Sequence, residues 1–148
     1  MTTSPTQKHG LLLFAHGARD PRWAEPFEAV AQRLQLRHPA LAVELAYLEF
    51  MTPTLVEAGM RLVATGCQRI DVVPLFLGAG GHVRKDLPVL LDELSTTYPG
   101  VQWQLQRVIG ERDSVIEAMA DAAADCVDRV DGAVGVAGAD HVGAATPS

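Results

Sequence analysis

The sequence predicts an α/β fold: an open, mostly parallel four-stranded sheet with helices on both faces. Three observations carry this prediction. Short continuous apolar runs, too short for globular helices, read as strands buried on both faces. Between them lie longer stretches whose apolar residues recur at helical spacing, so strands and helices alternate as in a parallel sheet. The chain has 148 residues, whereas a closed eightfold βα barrel needs about 250, so the sheet must stay open. Right-handed crossovers then distribute the helices over the two faces.

Each element follows in order. Residues 1–9 are polar and read as a flexible arm. Residues 11–15, Leu-Leu-Leu-Phe-Ala, form the first strand. Asp20 followed by Pro21 is a helix start, and Trp23, Phe27, Val30, Ala31 and Leu34 make one helical stripe that Pro39 ends. Residues 41–48 form the second strand, and Thr52-Pro53 repeats the cap-plus-proline signal. Leu55, Gly59, Leu62 and Val63 give the next helix, closed by Gly66. Residues 69–77 are the third strand. A glycine-rich joint (Gly78, Gly80, Gly81) then opens a helix with Val83, Leu87, Leu90, Leu91 and Leu94 on one side. Pro99-Gly100 is a turn. Residues 101–108 alternate Val101, Trp103 and Leu105 with glutamines, the pattern of a half-exposed or edge strand. Residues 111–127 form the last helix. The expected domain thus spans residues 10–130, and the Gly/Ala/Val-rich residues 131–148 read as a disordered tail.

Composition narrows the function. Hydrophobic residues are 48% and charged residues 20%, a globular balance with a mostly aliphatic core because aromatics are only 5%. A net charge of -6 argues against nucleic acid or an anionic membrane surface as main partner. Cys67 and Cys126 form neither a CxxC pair nor a disulfide framework, and Cys67 reads as a small buried thiol. No apolar run reaches the roughly 20 residues of a membrane span, and the first residues lack a signal-peptide pattern. The expectation is a cytoplasmic protein.

Open parallel sheets bind ligands outside the carboxyl ends of their strands. His16 follows the first strand, Glu49 the second and His82 the third, so all three are expected on one edge, and they are equally spaced along the chain. Two imidazoles and a carboxylate suit a divalent first-row metal. The same trio suits acid–base chemistry, with a histidine as base and Glu49 as its orienter. Arg19, Arg84 and Lys85 add local positive charge on an acidic chain, which fits a polycarboxylate or a phosphate. Gly80 and Gly81, at a helix start, permit close approach of a ligand. No GxxxxGK[ST], no GxGxxG after the first strand and no GxSxG elbow is present. His16-Gly17 lacks the preceding arginine of a histidine phosphatase, since Ala15 stands there.

The segments around these residues are Ala15-His16-Gly17-Ala18-Arg19-Asp20-Pro21, Tyr47-Leu48-Glu49 with Pro53 and Leu55, and the run from Val73 to Pro88. Together they closely resemble the CbiX/SirB family of class II chelatases, over residues 11–127. The resemblance implies insertion of cobalt or ferrous iron into sirohydrochlorin, on the routes to cobalamin and sirohaem. It implies a fold of two similar α/β halves, of which this chain is long enough for one, and hence a short form that pairs as a homodimer. It carries metal-binding and catalytic roles onto His16 and His82 and an acidic role onto Glu49. The chain departs from the family at Ala18, where many relatives have serine, and in a tail that lacks a histidine-rich run.

The expected activity is therefore a lyase-type sirohydrochlorin chelatase. His16 and His82 hold the metal. Glu49 is third ligand or proton acceptor, and Arg19, Gly80, Gly81, Arg84 and Lys85 border the tetrapyrrole. Leu77, Val83 and Leu87 are expected to wall the ring. No permanent cofactor is expected, because Co2+ or Fe2+ is a substrate. Two alternatives use the same edge: a metal or tetrapyrrole carrier without turnover, and a flavodoxin-like domain binding a phosphorylated ligand.

Overall fold

The computed structural model describes residues 7–78 and 80–132, without the side chains of His82 and of residues 128–132. Of the arm expected at residues 1–9 and the tail expected at 131–148, residues 1–6 and 133–148 lie outside the described residues, whereas His9 already belongs to a strand and residues 131–132 to a helix. The elements are β1 (His9–Ala15), α1 (Glu25–Arg37), β2 (Ala42–Tyr47), α2 (Leu55–Ala64), β3 (Arg69–Pro74), α3 (Gly81–Thr97), β4 (Gln102–Leu105) and α4 (Asp113–Gly132). By its internal packing the chain forms two units, residues 1–111 and 112–148. The first holds the whole sheet. The described part of the second is essentially α4, which starts two residues later than expected and continues through Gly132.

The four strands are parallel, in the order β2-β1-β3-β4. Alternate residues of the strands face opposite ways. Leu12, Phe14, Ala46, Ile70 and Val72 join Leu55, Ala58 and Leu62 of α2 and Leu87, Leu91 and Leu94 of α3 in the main core. Gly59 lets α2 approach closely: a Cβ there would lie 3.1 Å from Leu94 and 3.2 Å from Trp103. On the other face Ala15, Leu45 and Tyr47 pack with Trp23, Ala24 and Phe27. This second cluster is small because α1 leans on the edge strand β2. No residue of α1 is buried, and Val30, expected in its stripe, is 42% exposed.

Local chemistry explains the starts of the elements. The carboxylate of Asp20 accepts from the backbone N–H of Arg22, but the turn it caps is a short 3-10 helix, Pro21–Ala24, and α1 begins after it. The Arg22 side chain, and after it that backbone hydrogen bond, hold the Asp20 carboxyl below the usual range. Thr52 does not cap α2. The cap falls two residues later on Thr54, whose hydroxyl accepts from Glu57 N–H while the Glu57 carboxylate accepts from Thr54 N–H. The Thr-x-x-Glu capping box satisfies two end amides at once and so prevails over the proline signal. β1 starts at His9, before the apolar run that marks it in the sequence. His9 pairs there with Asp71 of β3, the one charged residue buried among those described. β3 ends at Pro74, three residues before its apolar run does, because residues 75–78 leave the sheet towards α3. As expected, Cys67 is buried and β4 lies at an edge. Among the described residues no helix is long and apolar enough to cross a membrane.

Candidate active site

The site lies at the carboxyl edge, around β1. Two hydrogen bonds continue the β1–β2 ladder past the strand ends: Leu48 N–H donates to Ala15 C=O at 2.9 Å and Glu49 N–H to His16 C=O at 3.1 Å. They bring Glu49 beside His16, and His16 Nε2 lies 3.1 Å from Glu49 Oε1. Gly17 makes this approach possible. Its φ is +92°, and a Cβ there would sit 1.9 Å from the Glu49 carbonyl oxygen. About half of each side chain is open to solvent, 52% for His16 and 48% for Glu49.

Aromatic residues frame the pair. Phe76, buried just past β3, sets its ring edge to that of His16, with centroids 6.1 Å apart. Phe50 follows Glu49 with φ of 65° and is exposed. The Arg19 guanidinium lies over its ring at 4.7 Å, so Arg19 reaches the site's border through a cation–π contact. The roles of Phe76 and Phe50 were missed in the sequence. Phe76 reads there as one more strand residue, and a left-handed backbone at Phe50 has no sequence signal.

The third side of the site is the joint between β3 and α3. His82 is the second residue of α3, and its backbone belongs to the first turn of that helix. The structure thus unites His16 with Glu49 and puts the His82 backbone beyond the neighbouring strand; the position of the His82 imidazole is not among the described features. Gly80 is the N-cap of α3, and the first turn has no acidic residue, so the partial positive charge of the helix start is uncompensated there. A Cβ at Gly78, Gly80 or Gly81 would meet nothing within 4 Å. These glycines therefore leave open space for a ligand and are not required by protein packing. Arg84 and Lys85 follow in α3, and Arg84 Nη2 approaches Glu111 Oε2 at 3.7 Å. Of the expected ring wall, Leu77 is 68% exposed at the edge, but Leu87 belongs to the core at 4% exposure. The helical phase of Leu87 turns most of it onto the sheet.

No group of three or more His, Cys, Asp and Glu able to hold a metal occurs among the described residues. What they show is a pair. Two ligands about 2.1 Å from one ion and at right angles to each other lie about 3.0 Å apart. The 3.1 Å spacing of His16 and Glu49 therefore suits both a hydrogen bond and joint coordination of one cation. The β1–β3 boundary is also where strand order reverses, the usual place of a binding crevice in such sheets.

The CbiX family model matches residues 10–126. The chain belongs to the CbiX family. The sirohydrochlorin cobaltochelatase of Saccharolobus solfataricus is 41% identical over 95 residues, 62% of this chain and 73% of the relative. That of Sulfurisphaera tokodaii is 32% identical over 111 residues, 75% of this chain and 88% of the relative. Among solved structures, a cobalamin biosynthesis CbiX protein from Marinobacter aquaeolei VT8 superposes with a TM-score of 0.72. It is 35% identical, and the match covers 82% of this chain and 98% of that one. The sirohydrochlorin chelatase SirB from Bacillus subtilis subspecies spizizenii, in complex with cobalt, gives 0.71 at 25% identity. There the match covers 80% of this chain but 51% of SirB. These likenesses agree with the α/β fold expected from the sequence and with its resemblance to CbiX and SirB chelatases.

Proposed function

We propose that this CbiX-family chain is a sirohydrochlorin chelatase that inserts a divalent metal, Co2+ or Fe2+, into the tetrapyrrole. The observation that carries the reading is the His16–Glu49 pair at 3.1 Å on the open carboxyl edge, in a chain whose relatives include sirohydrochlorin cobaltochelatases. Both Co2+ and Fe2+ accept nitrogen and oxygen ligands, and availability often decides between them.

Insertion needs a partly desolvated ion, a macrocycle held against it and removal of two pyrrole protons. In this reading His16 and His82 are the imidazole ligands of the ion. Glu49 orients His16 and accepts one of the two protons as the ring nitrogens take the metal, the other passing to solvent at the open edge. Phe76 fixes the plane of the His16 ring, so the donor nitrogen is aimed before the metal arrives. The open space over Gly78, Gly80 and Gly81 admits the flat ring. Arg19, Arg84 and Lys85 meet its carboxylates. The metal enters as substrate, with no permanent cofactor in the scheme, and the reaction is assigned to the cytoplasm.

The test is anaerobic incubation with sirohydrochlorin and Co2+ or Fe2+, followed by absorbance. Wild type is expected to exceed the protein-free rate, and His16→Ala and His82→Ala to lose at least about 100-fold of that rate. Tetrapyrrole binding without acceleration would instead mark a carrier. We further propose that two copies pair to enclose the ring. The match spans nearly all of the Marinobacter chain but about half of SirB, which fits one half of a two-half chelatase. Sedimentation at assay concentration should give a dimer; a monomer with full activity refutes the pairing.

A further inference from the structure

Residues after β4 carry charged groups that the reading above leaves without a task. Between the first two turns of α3 and residues 105–111 lies an open cavity of about 200 Å³. Its lower wall is apolar, with Pro74, Val83, Leu87 and Val108, and its rim is charged, with Arg84, Arg107 and Glu111. Arg107 is tethered to Glu111: its Nη2 donates to Glu111 C=O at 3.1 Å and its Nε lies 3.7 Å from Glu111 Oε1. Arg84 Nη2 lies 3.7 Å from Glu111 Oε2. One carboxylate thus sits between two guanidiniums, one for each oxygen.

Both contacts are at ion-pair distance, longer than a hydrogen bond. Exposed pairs of this kind are weak, whereas a carboxylate that docks squarely on a guanidinium gains two charge-assisted hydrogen bonds. A ligand carboxylate therefore competes well with Glu111 for the same two cations. The location fits such a ligand. The cavity opens on the carboxyl edge that also carries His16 and Glu49. β4 is two strands from β1, about 10 Å at ordinary strand spacing, which places the cavity beside the crevice and outside its centre. A planar macrocycle centred on His16 would extend its peripheral acids in this direction.

We propose that Arg107, together with Arg84, forms a subsite for one carboxylate arm of the macrocycle, and that Glu111 keeps the two guanidiniums converged until that arm replaces it. The proposal rests on the chelatase reading and adds to it a specificity-determining residue on the fourth strand's loop. The neutral alternative is that Arg107 only braces the turn at residues 107–111.

The decisive comparison is Arg107→Ala, Arg107→Lys and Glu111→Gln against wild type, with Arg33→Ala on the exposed side of α1 as a control for the loss of one positive charge. Arg107→Ala is expected to raise KM for sirohydrochlorin about tenfold, with KM for the metal unmoved. Arg107→Lys should recover part of the affinity, Glu111→Gln should leave KM unchanged or lower it, and Arg33→Ala should match wild type. An Arg107→Ala enzyme with wild-type KM for sirohydrochlorin overturns the subsite and leaves the chelatase reading intact. So does an equal rise in both KM values together with a lowered melting temperature, the mark of a bracing role. If wild type does not accelerate insertion, the chelatase reading fails, and an absorbance titration with sirohydrochlorin alone still decides the subsite. About tenfold weaker binding by Arg107→Ala upholds it, and equal binding or none by wild type removes it.

Discussion

Gly17 decides whether His16 and Glu49 meet. Its left-handed φ and the nearby Glu49 carbonyl leave no place for a Cβ. Gly17→Ala is therefore expected to cost about 3 kcal/mol of stability and to push the Glu49 backbone away from β1. Urea unfolding should show the loss of stability, and metal insertion should fall further than the unfolded fraction explains. His16 and Glu49 were legible in the sequence because each ends an apolar run, and a parallel sheet sends such residues to one edge. Which histidine Glu49 meets was not legible, since it depends on β1 and β2 being neighbours. Phe76 and Arg107 were hidden for another reason. One reads as core and the other as a surface charge, and only packing brings them to the site.

At the scale of elements, the loops after β3 and β4 are locked together by one glycine. The Leu77 backbone crosses Gly110 so closely that a Cβ would lie 2.1 Å from Leu77 O and 2.4 Å from Leu77 Cα. Gly110 N–H also donates to Phe76 C=O at 2.9 Å. Phe76 thus has His16 on one side and the post-β4 turn on the other. Gly110→Ala is expected to cost about 2 kcal/mol, read as a lowered melting temperature, and to reduce insertion because the Phe76 ring no longer steadies His16. The sequence announces the glycine joint at residues 78–81 but not Gly110, which stands alone between Val108-Ile109 and a charged run and marks no obvious turn. In the same way the Thr54 capping box sits in the sequence as Thr-x-x-Glu, overshadowed by the Thr52-Pro53 pair beside it. Two competing local signals cannot be ranked until the chain's path into α2 is known.

At the scale of the whole molecule, the sheet holds a charge network centred on the buried Asp71, away from the site. Asp71 pairs with His9, accepts from Gln106 Nε2 at 2.7 Å and lies 3.3 Å from Arg69 Nε. Burial alone would raise its pKa, but the hydrogen bonds from His9 and Gln106 and the charge of Arg69 outweigh it, so the net shift is downward. A depressed carboxyl stabilises the fold above its unfolded value of about 3.9 and ceases to do so as pH falls through the lower folded value. Asp71→Asn is expected to cost about 2 kcal/mol at pH 7, and urea titrations should show the gap to wild type closing below about pH 4. The network joins the first residue of β1 to β3 and to the residue after β4, so it ties three strands across one face.

By itself the sequence determined the fold class, the order of elements and the places of His16, Glu49 and His82 in the chain just past the ends of the first three strands. These follow from hydrophobic periodicity and from the chain direction of a parallel sheet, both of which are local properties read along the chain. Tertiary structure alone decided the strand order β2-β1-β3-β4 and, with it, that β1 lies between its partners. It also decided the 3.1 Å meeting of His16 with Glu49, the bracing of Phe76 and the convergence of Arg84 and Arg107 on Glu111. Those contacts join residues from different strands and loops, and no local pattern encodes which strands become neighbours. That choice is made by how α2 and α3 bury their apolar sides on one face of the sheet, while α1 covers β2 on the other.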